Sequence, residues 1–479
     1  MLRAVLGLAA VAMAWCAAPA FADDTRTNRL IVLTDIENEP DDTMSMVRLM
    51  LYTNEIELEG LIATTSTHMR GRIAPDAIRA IINRYALVQP NLVLHDRRYP
   101  RAAALLALVK SGQPHYGIAD VGAGHDSEGS DWIIHILEEN DDRPLWISVW
   151  GGANTLAQAL TKIRATRTPA EVARLIVKLR VYTISDQHDS GIWIRREFPD
   201  LFYIVSPGGY GAASWVGIME AVDGLANEEI SNAWIAAHIQ QGHGPLGAAY
   251  PDVAYGMEGD TPSWLGLIPN GLSDYEHPNW GGWGGRYELY TPERANEDVN
   301  GFNGHVPIED EPRPIWTNAR DRYTPYAPNS FGRAVRASDK TFEGFRVGVW
   351  RWRVDFQNDF AARIAWTTEP VASANHPPIP ALAHPRTLTV HGGDRVWLDA
   401  SGTRDPDGDS LSYLWFNYPE AGTLAAPIPV DGAENIFRVS FVAPEVTRPE
   451  TAHFILRVTD KGSPPLSRYE RVIVTILPR

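Results

Sequence analysis

The sequence predicts an α/β domain whose mostly parallel sheet is flanked by helices, followed by a β-sandwich of immunoglobulin-like type. Three observations carry this reading. From Asn28 to about Val205, short β-branched runs alternate with segments of helical spacing, which is the pattern of βαβ units. Residues 369 to 385, "EPVASANHPPIPALAHP", are rich in Pro and Ala and have no period, so they read as a semi-rigid linker. Beyond them, apolar and polar residues alternate in short runs broken by Gly, Asp and Pro, as in an antiparallel sandwich of roughly a hundred residues.

In chain order, "RLIVLTD" reads as a buried strand and "DTMSMVRLMLYT" as a helix; "LEGLIATTS" and "PDAIRAIINRYALV" repeat the pair. "RPLWISVWGG" then gives a strand, "NTLAQALTKIRA" a helix, and "LIVKLRVYTISD" and "LFYIVSP" two further strands. Ligands of such sheets bind beyond the carboxyl ends of the strands. Residues 240 to 340 lack periodicity and are rich in Gly, Pro, Trp and Asn, as functional loops are. "FRVGVWRWRVDFQNDFAARIAWTT" resumes helical spacing and closes the domain. The expected units are an α/β domain over 23–368, the linker over 369–385 and the sandwich over 386–479.

Residues 1–22 read as a secretory signal: Arg3, an apolar run from Ala4 to Trp15, and the small-x-small site Ala20-Phe21-Ala22 before Asp23. The run is short for a membrane span, so a secreted or periplasmic protein without membrane attachment is expected. The one cysteine, Cys16, falls inside this segment, which leaves the processed chain without disulfides or thiol metal sites. A net charge of −16 with no basic cluster argues against nucleic-acid binding. Sixteen Trp and 17 Tyr suit a carbohydrate-active protein and equally suit a large core.

The chemistry concentrates in "LTDIENEPDDTMSM". Asp35, Glu37, Glu39, Asp41 and Asp42 follow the first strand directly, at the edge where ligands bind. Like charges this close repel unless a cation, a ligand or a shared proton offsets them. A helix dipole favours acids near a helix start, but Asp35 and Glu37 precede Pro40 and are not explained by it. Converging carboxylate oxygens suit a hard divalent cation. A second acidic run, "DPDGD" from Asp405 to Asp409, offers oxygens for calcium too, although without a complete twelve-residue hand loop a solvated turn also accounts for it.

The first of these runs resembles the calcium signature of the nucleoside hydrolases, Asp-x-Asp-x-Gly-x-Asp-Asp. "TDIENEPDD", "GLIATTSTH", "WGGANTLAQAL", "SDQHDSGIWIRREFP", "EGDTPSWLGLIPNGL" and "HPNWGGWGGRYE" together resemble the secreted nucleoside-hydrolase-like family named for a cellulose-binding member. The resemblance implies a nucleoside-hydrolase-like domain in which a cation holds the sugar and the attacking water while a carboxylate takes the water's proton. Asp35, Asp41 and Asp42 fall on matching acidic positions; Glu37 matches by spacing, and Glu39 replaces the glycine. Glu37 is the favoured general base, with Glu39 and Asp41 close to it. Asp35 and Asp42 are implied metal ligands, joined by Asn154 through its carbonyl and by Asp260 through motif order. Asn154 equally reads as the cap of the following helix. No histidine precedes Asp260, so the leaving-group acid would have to be Glu258 or His277.

Substrate contacts are expected from Thr67 and His68 at the end of the second strand, and from Asp186, Gln187, His188, Asp189 and Trp193. Trp264, Trp280 and Trp283, beside several glycines, offer flat faces for sugar rings, with core packing as the alternative for each. The resulting expectation is a secreted, metal-dependent hydrolase of glycosidic bonds, N-glycosidic ones included, acting on a carbohydrate or polysaccharide such as cellulose. A non-catalytic carbohydrate-binding protein on the same fold, and a periplasmic nucleoside hydrolase, stand beside it.

Overall fold

The computed structural model describes residues 27–207, 210, 214–225, 227–274, 276–293, 309–328, 334–336, 340–424, 426–432 and 435–479. The expected signal, residues 1–22, lies outside the described residues.

The main sheet has eight strands in the order β3-β2-β1-β4-β5-β6-β8-β7. They are β1 Asn28–Thr34, β2 Ile56–Ala63, β3 Val109–Ser111, β4 Leu145–Val149, β5 Leu179–Thr183, β6 Phe202–Val205, β7 Tyr287–Tyr290 and β8 Ile315–Asn318. Neighbours run parallel except β7 against β8. The central strand β1 shows why its sequence has no polar face: Leu30 and Val32 enter one apolar core while Ile31 and Leu33 enter the other. Helices α1 Pro40–Met50, α2 Pro75–His95 and α3 Ala102–Ala107, with the closing helix Arg353–Ala365, cover the first face. Helices α4 Glu128–Glu138, α5 Asn154–Thr166, α6 Pro169–Lys178 and α7 Ser190–Glu197 cover the second.

Two elements differ from the sequence expectation. "LIVK" of the expected strand 175–186 ends α6 instead, because Thr168 and Glu171 form a capping box, Pro169 opens the helix, and Leu175 and Ile176 fall on its buried side. The irregular region 240–340 contributes β7 and β8, which extend the sheet; at four residues each they are too short to show a period. Two small antiparallel pairs follow, β9 Asp321–Tyr323 with β12 Phe342–Gly344 and β10 Tyr326–Pro328 with β11 Ala334–Arg336.

The C-terminal domain sets a four-stranded sheet, β13 Thr387–His391, β18 Ser467–Leu477, β17 Glu450–Thr459 and β15 Ser412–Asn417, against a pair, β14 Arg395–Asp399 with β16 Arg438–Val442. Leu398, Trp415, Phe441, Phe454 and Val472 fill the space between them, and Phe441 stacks on Phe454 at 4.1 Å. The domain is not wholly antiparallel: β13 enters beside the last strand and runs parallel to it.

The two domains share a core. Tyr418, Ala421, Ile455 and Tyr469 pack within the main-domain cluster. The seam lies at the amino ends of the sheet strands, where Asn28 Nδ2 donates to Leu267 O at 2.8 Å and Arg180 pairs with Glu276 at 2.8 Å. There Tyr469 N–H donates to Asn270 O (2.9 Å) and Arg471 donates to Leu272 O (2.8 Å) and Gly281 O (2.9 Å).

Candidate metal and sugar site

At the opposite, carboxyl edge of the sheet, the β1–α1 turn turns its carboxylates inward. Pro40 opens α1, so Asp41 and Asp42 lie in its first turn, where backbone N–H groups favour negative charge. Asp42 accepts from Thr34 Oγ1, and Asp42 N–H donates to Asp41 Oδ1 at 3.0 Å. Asp260 comes from the segment that precedes a short helix, Pro262–Leu265. One oxygen from each of Asp41, Asp42 and Asp260 lies within 4.8 Å of the others. These three and Asp35 are all buried, and Asp35 Oδ2 and Asp260 Oδ2 have no hydrogen-bond partner.

The electrostatics follow from that burial. Asp42 and Asp260 are held well above the usual carboxylate range, by desolvation first and then by the charges around them: Asp35 and Asp41 act on Asp42, and Asp41 and Asp42 on Asp260. Burial also raises Asp35, against a hydrogen bond from Ser66. Asp41 rises to about 6 through burial, although Trp215 Nε1 donates to its Oδ2 at 2.7 Å. Glu39, at the rim, rises to about 8 through burial and the charges of Asp41 and Asp35. Four buried acids, two with bare oxygens, fit a divalent cation.

Backbone geometry supports the same reading. Glu37, between Asp35 and Asp41, and Glu258, two residues before Asp260, adopt positive φ of 77° and 51°. Gly151, after β4, presses on Asp35 so closely that a Cβ there would stand 2.6 Å from Oδ1.

The expected residues divide clearly. Asp41, Asp42 and Asp260 converge within 4.8 Å, and the charges of Asp35 and Glu39 act on them. Glu37 does not: its half-exposed carboxylate turns outward to Arg72 at 2.7 Å, because the positive φ reverses the chain there. Asn154 is the first residue of α5, with Ala153 in the cap position, so its carbonyl belongs to the helix ladder and its side chain caps nothing. Its Nδ2 donates to His115 O at 2.8 Å, and it is Gly151 that touches Asp35. Glu258 is absorbed in a buried pair with Arg48 (2.9 Å) and accepts from Tyr250 OH (2.6 Å).

Thr67 N–H donates to Gln187 O (2.8 Å), and His68 Nε2 meets Tyr210 OH at 3.1 Å. The other expected sugar contacts have different partners. Asp186 pairs with buried Arg195 (2.7 Å), which also holds Glu311 (2.6 Å). His188 Nε2 accepts from Gly117 N–H (3.0 Å), its Nδ1 lies 2.7 Å from Ser190 Oγ and 2.9 Å from Asp189, and burial lowers its pKa. Asp189 also accepts from Ile118 N–H at 2.9 Å. Trp193 packs on α7 beside Phe198 and Arg164. Trp264 is a core residue packed on Tyr52 at 5.6 Å, not a platform. Trp280, Trp283 and His277 belong to the domain seam: Trp283 Nε1 donates to Tyr469 OH (3.2 Å), and Trp280 lies between His277 and His453.

Sequence reading missed Trp215, Tyr210 and Thr34, and placed Ser66 at the end of the second strand facing the site, where it bonds Asp35. Tyr210 and Trp215 follow β6 in "GGYGAASWVG", and their rings meet edge to face at 5.4 Å beside the acids. Aromatic residues in a glycine-rich loop at the carboxyl end of a strand are the signal that points to them.

Comparison with known proteins fits this geometry. The family model "Cellulose-binding Sde182, nucleoside hydrolase-like domain" matches residues 29–287, and "Cellulose-binding protein Sde0182, C-terminal domain" matches residues 395–476. Among solved structures, a nucleoside hydrolase-related hypothetical protein from Saccharophagus degradans, described as associated with carbohydrate metabolism, is 33% identical with a TM-score of 0.77; the match covers 94% of this chain and 100% of that one. The PKD domain from the KIAA 1837 protein (20% identity, TM-score 0.16, 20% of this chain and 86% of that one) and the effector protein XOO4466 (11%, 0.33, 61% and 88%) are weaker likenesses and support nothing further. No curated protein matches the chain.

Proposed function

Because the chain belongs to the family of cellulose-binding proteins with a nucleoside-hydrolase-like domain, we propose that it is a secreted, calcium-dependent hydrolase of glycosidic bonds in a carbohydrate substrate. The observation that carries this is the cluster of Asp35, Asp41, Asp42 and Asp260, buried together with bare oxygens on Asp35 and Asp260. A cation bound there would take sugar hydroxyls into its shell and lower the pKa of a bound water.

The chain's own residues divide the remaining work. Without a cation, burial and neighbouring charges raise Glu39 and Asp41; Asp41 belongs to the three-carboxylate group, which leaves Glu39 as the carboxylate free to take a proton from water once a cation offsets the cluster. Trp215 orients Asp41 through its Nε1–H bond, and Thr34 orients Asp42. Tyr210, Trp215 and His68 give the cleft rim an aromatic wall against which a sugar ring can lie.

A second reading, a carbohydrate-binding protein that retains the cation and lacks turnover, draws on two features: Glu37 faces Arg72 rather than the acids, and Gly259 stands where a histidine would precede Asp260. Nitrophenyl glycosides, nucleosides and soluble oligosaccharides, assayed with calcium and with chelator, separate the two. The hydrolase reading expects calcium-dependent product release that drops at least a hundredfold in Asp42→Ala. Calcium-dependent oligosaccharide binding without product release would replace it with the second reading, and equal calcium binding by both proteins would remove the metal site.

A further inference from the structure

The junction of the two domains holds a second group of buried oxygens that lack donors. Asn375 is 8% and Asp460 2% exposed. Asn375 Nδ2 donates to Asp460 Oδ1 (3.1 Å) and to Pro464 O (2.7 Å). Two acceptors on that side fix the amide with its oxygen turned the other way. Asp460 Oδ1 accepts from Gly462 N–H (3.1 Å) and Leu466 N–H (2.9 Å) as well. Asp405, which opens "DPDGD", uses Oδ1 to accept from Asp407 N–H (2.9 Å) and Asp409 N–H (3.0 Å).

Each of the three side chains thus has one saturated atom and one bare one. Asn375 Oδ1, Asp405 Oδ2 and Asp460 Oδ2 are all buried without a hydrogen-bond partner. They share one locality. Asn375 touches Asp460 directly, and the adjoining His376 N–H donates at 2.6 Å to Oδ2 of Asp407, the residue whose own N–H is held by Asp405 Oδ1. An amide oxygen and two ionised carboxylates are acceptors only, so the trio cannot satisfy itself, and oxygens of these types are the ligands a hard cation takes.

We propose that Asn375, Asp405 and Asp460 bind a calcium ion that ties the 369–385 segment to the C-terminal domain. This site is separate from the acidic cluster of the main domain and does not rest on the proposed hydrolysis. It gives "DPDGD" a role beyond a solvated turn.

The test is calorimetric titration of the chelator-treated full chain with calcium chloride, with magnesium chloride as control. In an Asp42→Ala background, one equivalent of calcium should bind with a Kd of about 0.1–1 mM, the range of extracellular modules. Asp405→Asn or Asp460→Asn in that background should weaken binding at least tenfold. In the otherwise natural chain, Asp405→Asn, in a part-exposed loop that tolerates it, should lower the calcium stoichiometry by one. Trp366 Nε1 donates to Asn375 O at 2.9 Å, so terbium chloride should give tryptophan-sensitised emission that the same substitution removes. Absence of calcium binding in the Asp42→Ala chain, or binding and terbium emission unchanged by both Asn substitutions, would overturn the proposal. Neither result bears on product release, which reports on the other cluster.

Discussion

Asp42 and Asp359 are the same residue type, each buried on a helix against the same face of the sheet, and they behave in opposite ways. At the carboxyl edge, Asp42 is surrounded by Asp35 and Asp41, and after burial their charges push its carboxyl further up. Toward the domain seam, burial would also raise Asp359, but Arg468 and Arg363 outweigh it and hold the carboxyl at about 2. Arg468 lies at 2.7 Å, Arg363 at 2.9 Å, and Tyr52 OH donates at 2.7 Å. Burial alone therefore does not tell a structural acid from a ligand-binding one. The difference is whether the fold itself provides the opposite charge.

The largest effect should come from breaking the matched end. Asp359→Ala leaves Arg468 buried beside an empty partner and removes one of the two carboxylates on Arg363, so unfolding free energy should fall by about 3–5 kcal/mol in chemical denaturation. Asp42→Asn is the mirror experiment. In chelator it should raise the melting temperature, because it removes repulsion without opening a cavity, and with calcium it should show only the rise expected from the Asn375, Asp405 and Asp460 site, without the part expected from the acidic cluster. A loss of stability of similar size in both variants would erase the distinction.

The pH dependence has opposite signs at the two ends. Asp41 ordinarily titrates at 3.8 and in the fold at about 6, so the folded chain holds the extra proton. Its contribution is fully present below 3.8 and is lost as pH rises through 6, roughly 3 kcal/mol in all. Glu39, raised to about 8, extends the loss toward pH 8. Asp359 contributes stability above 3.8 that is lost as pH falls toward 2. In chelator the melting temperature should therefore fall from pH 5 to pH 8, and excess calcium should flatten that slope. A melting temperature that rises over this window without calcium would contradict the unpaired state of the cluster.

The two ends also differ in how far they can be read from sequence. The acidic cluster was legible because its residues adjoin β1 in the chain and charge repulsion is a local argument; Asp260 followed only by motif order. The seam was not. "HPNWGGWGG" combines Trp with Gly, which equally describes a sugar platform and a packed interface, and only the fold puts Tyr418 where a Cβ on Gly281 would stand 2.6 Å from its hydroxyl. Likewise "SDQHD" looked like a set of free polar groups, yet Arg195, Gly117 and Ile118, distant or on other elements, already occupy it. The alternation of strands and helices was legible from period alone, whereas α6, hidden in an apolar run, required its capping box to be weighed against β-branched content.

A smaller effect should come from Gly151→Ala. The added methyl would stand 2.6 Å from Asp35 Oδ1 and must displace that carboxylate. Calcium affinity should drop about tenfold, about 1.4 kcal/mol, while the Asp359 end and the chelator-state pH slope stay nearly unchanged. Calorimetry with calcium on the variant checks this, and unchanged affinity would remove Asp35 from the ligand set.

The smallest effect should be that of Glu37→Gln, although Glu37 belongs to the same acidic turn. Its carboxylate is 52% exposed and meets Arg72, itself 54% exposed, at 2.7 Å. Exposed pairs of this kind are worth about 0.5 kcal/mol or less after solvent screening. The substitution should leave calcium affinity within twofold and any product release nearly intact, whereas Glu39→Gln should reduce release at least tenfold. A loss of turnover in Glu37→Gln with unchanged calcium binding would mean that the turn reverses when substrate enters and brings Glu37 to the acids. The division drawn here between inward and outward carboxylates would then hold only for the substrate-free protein.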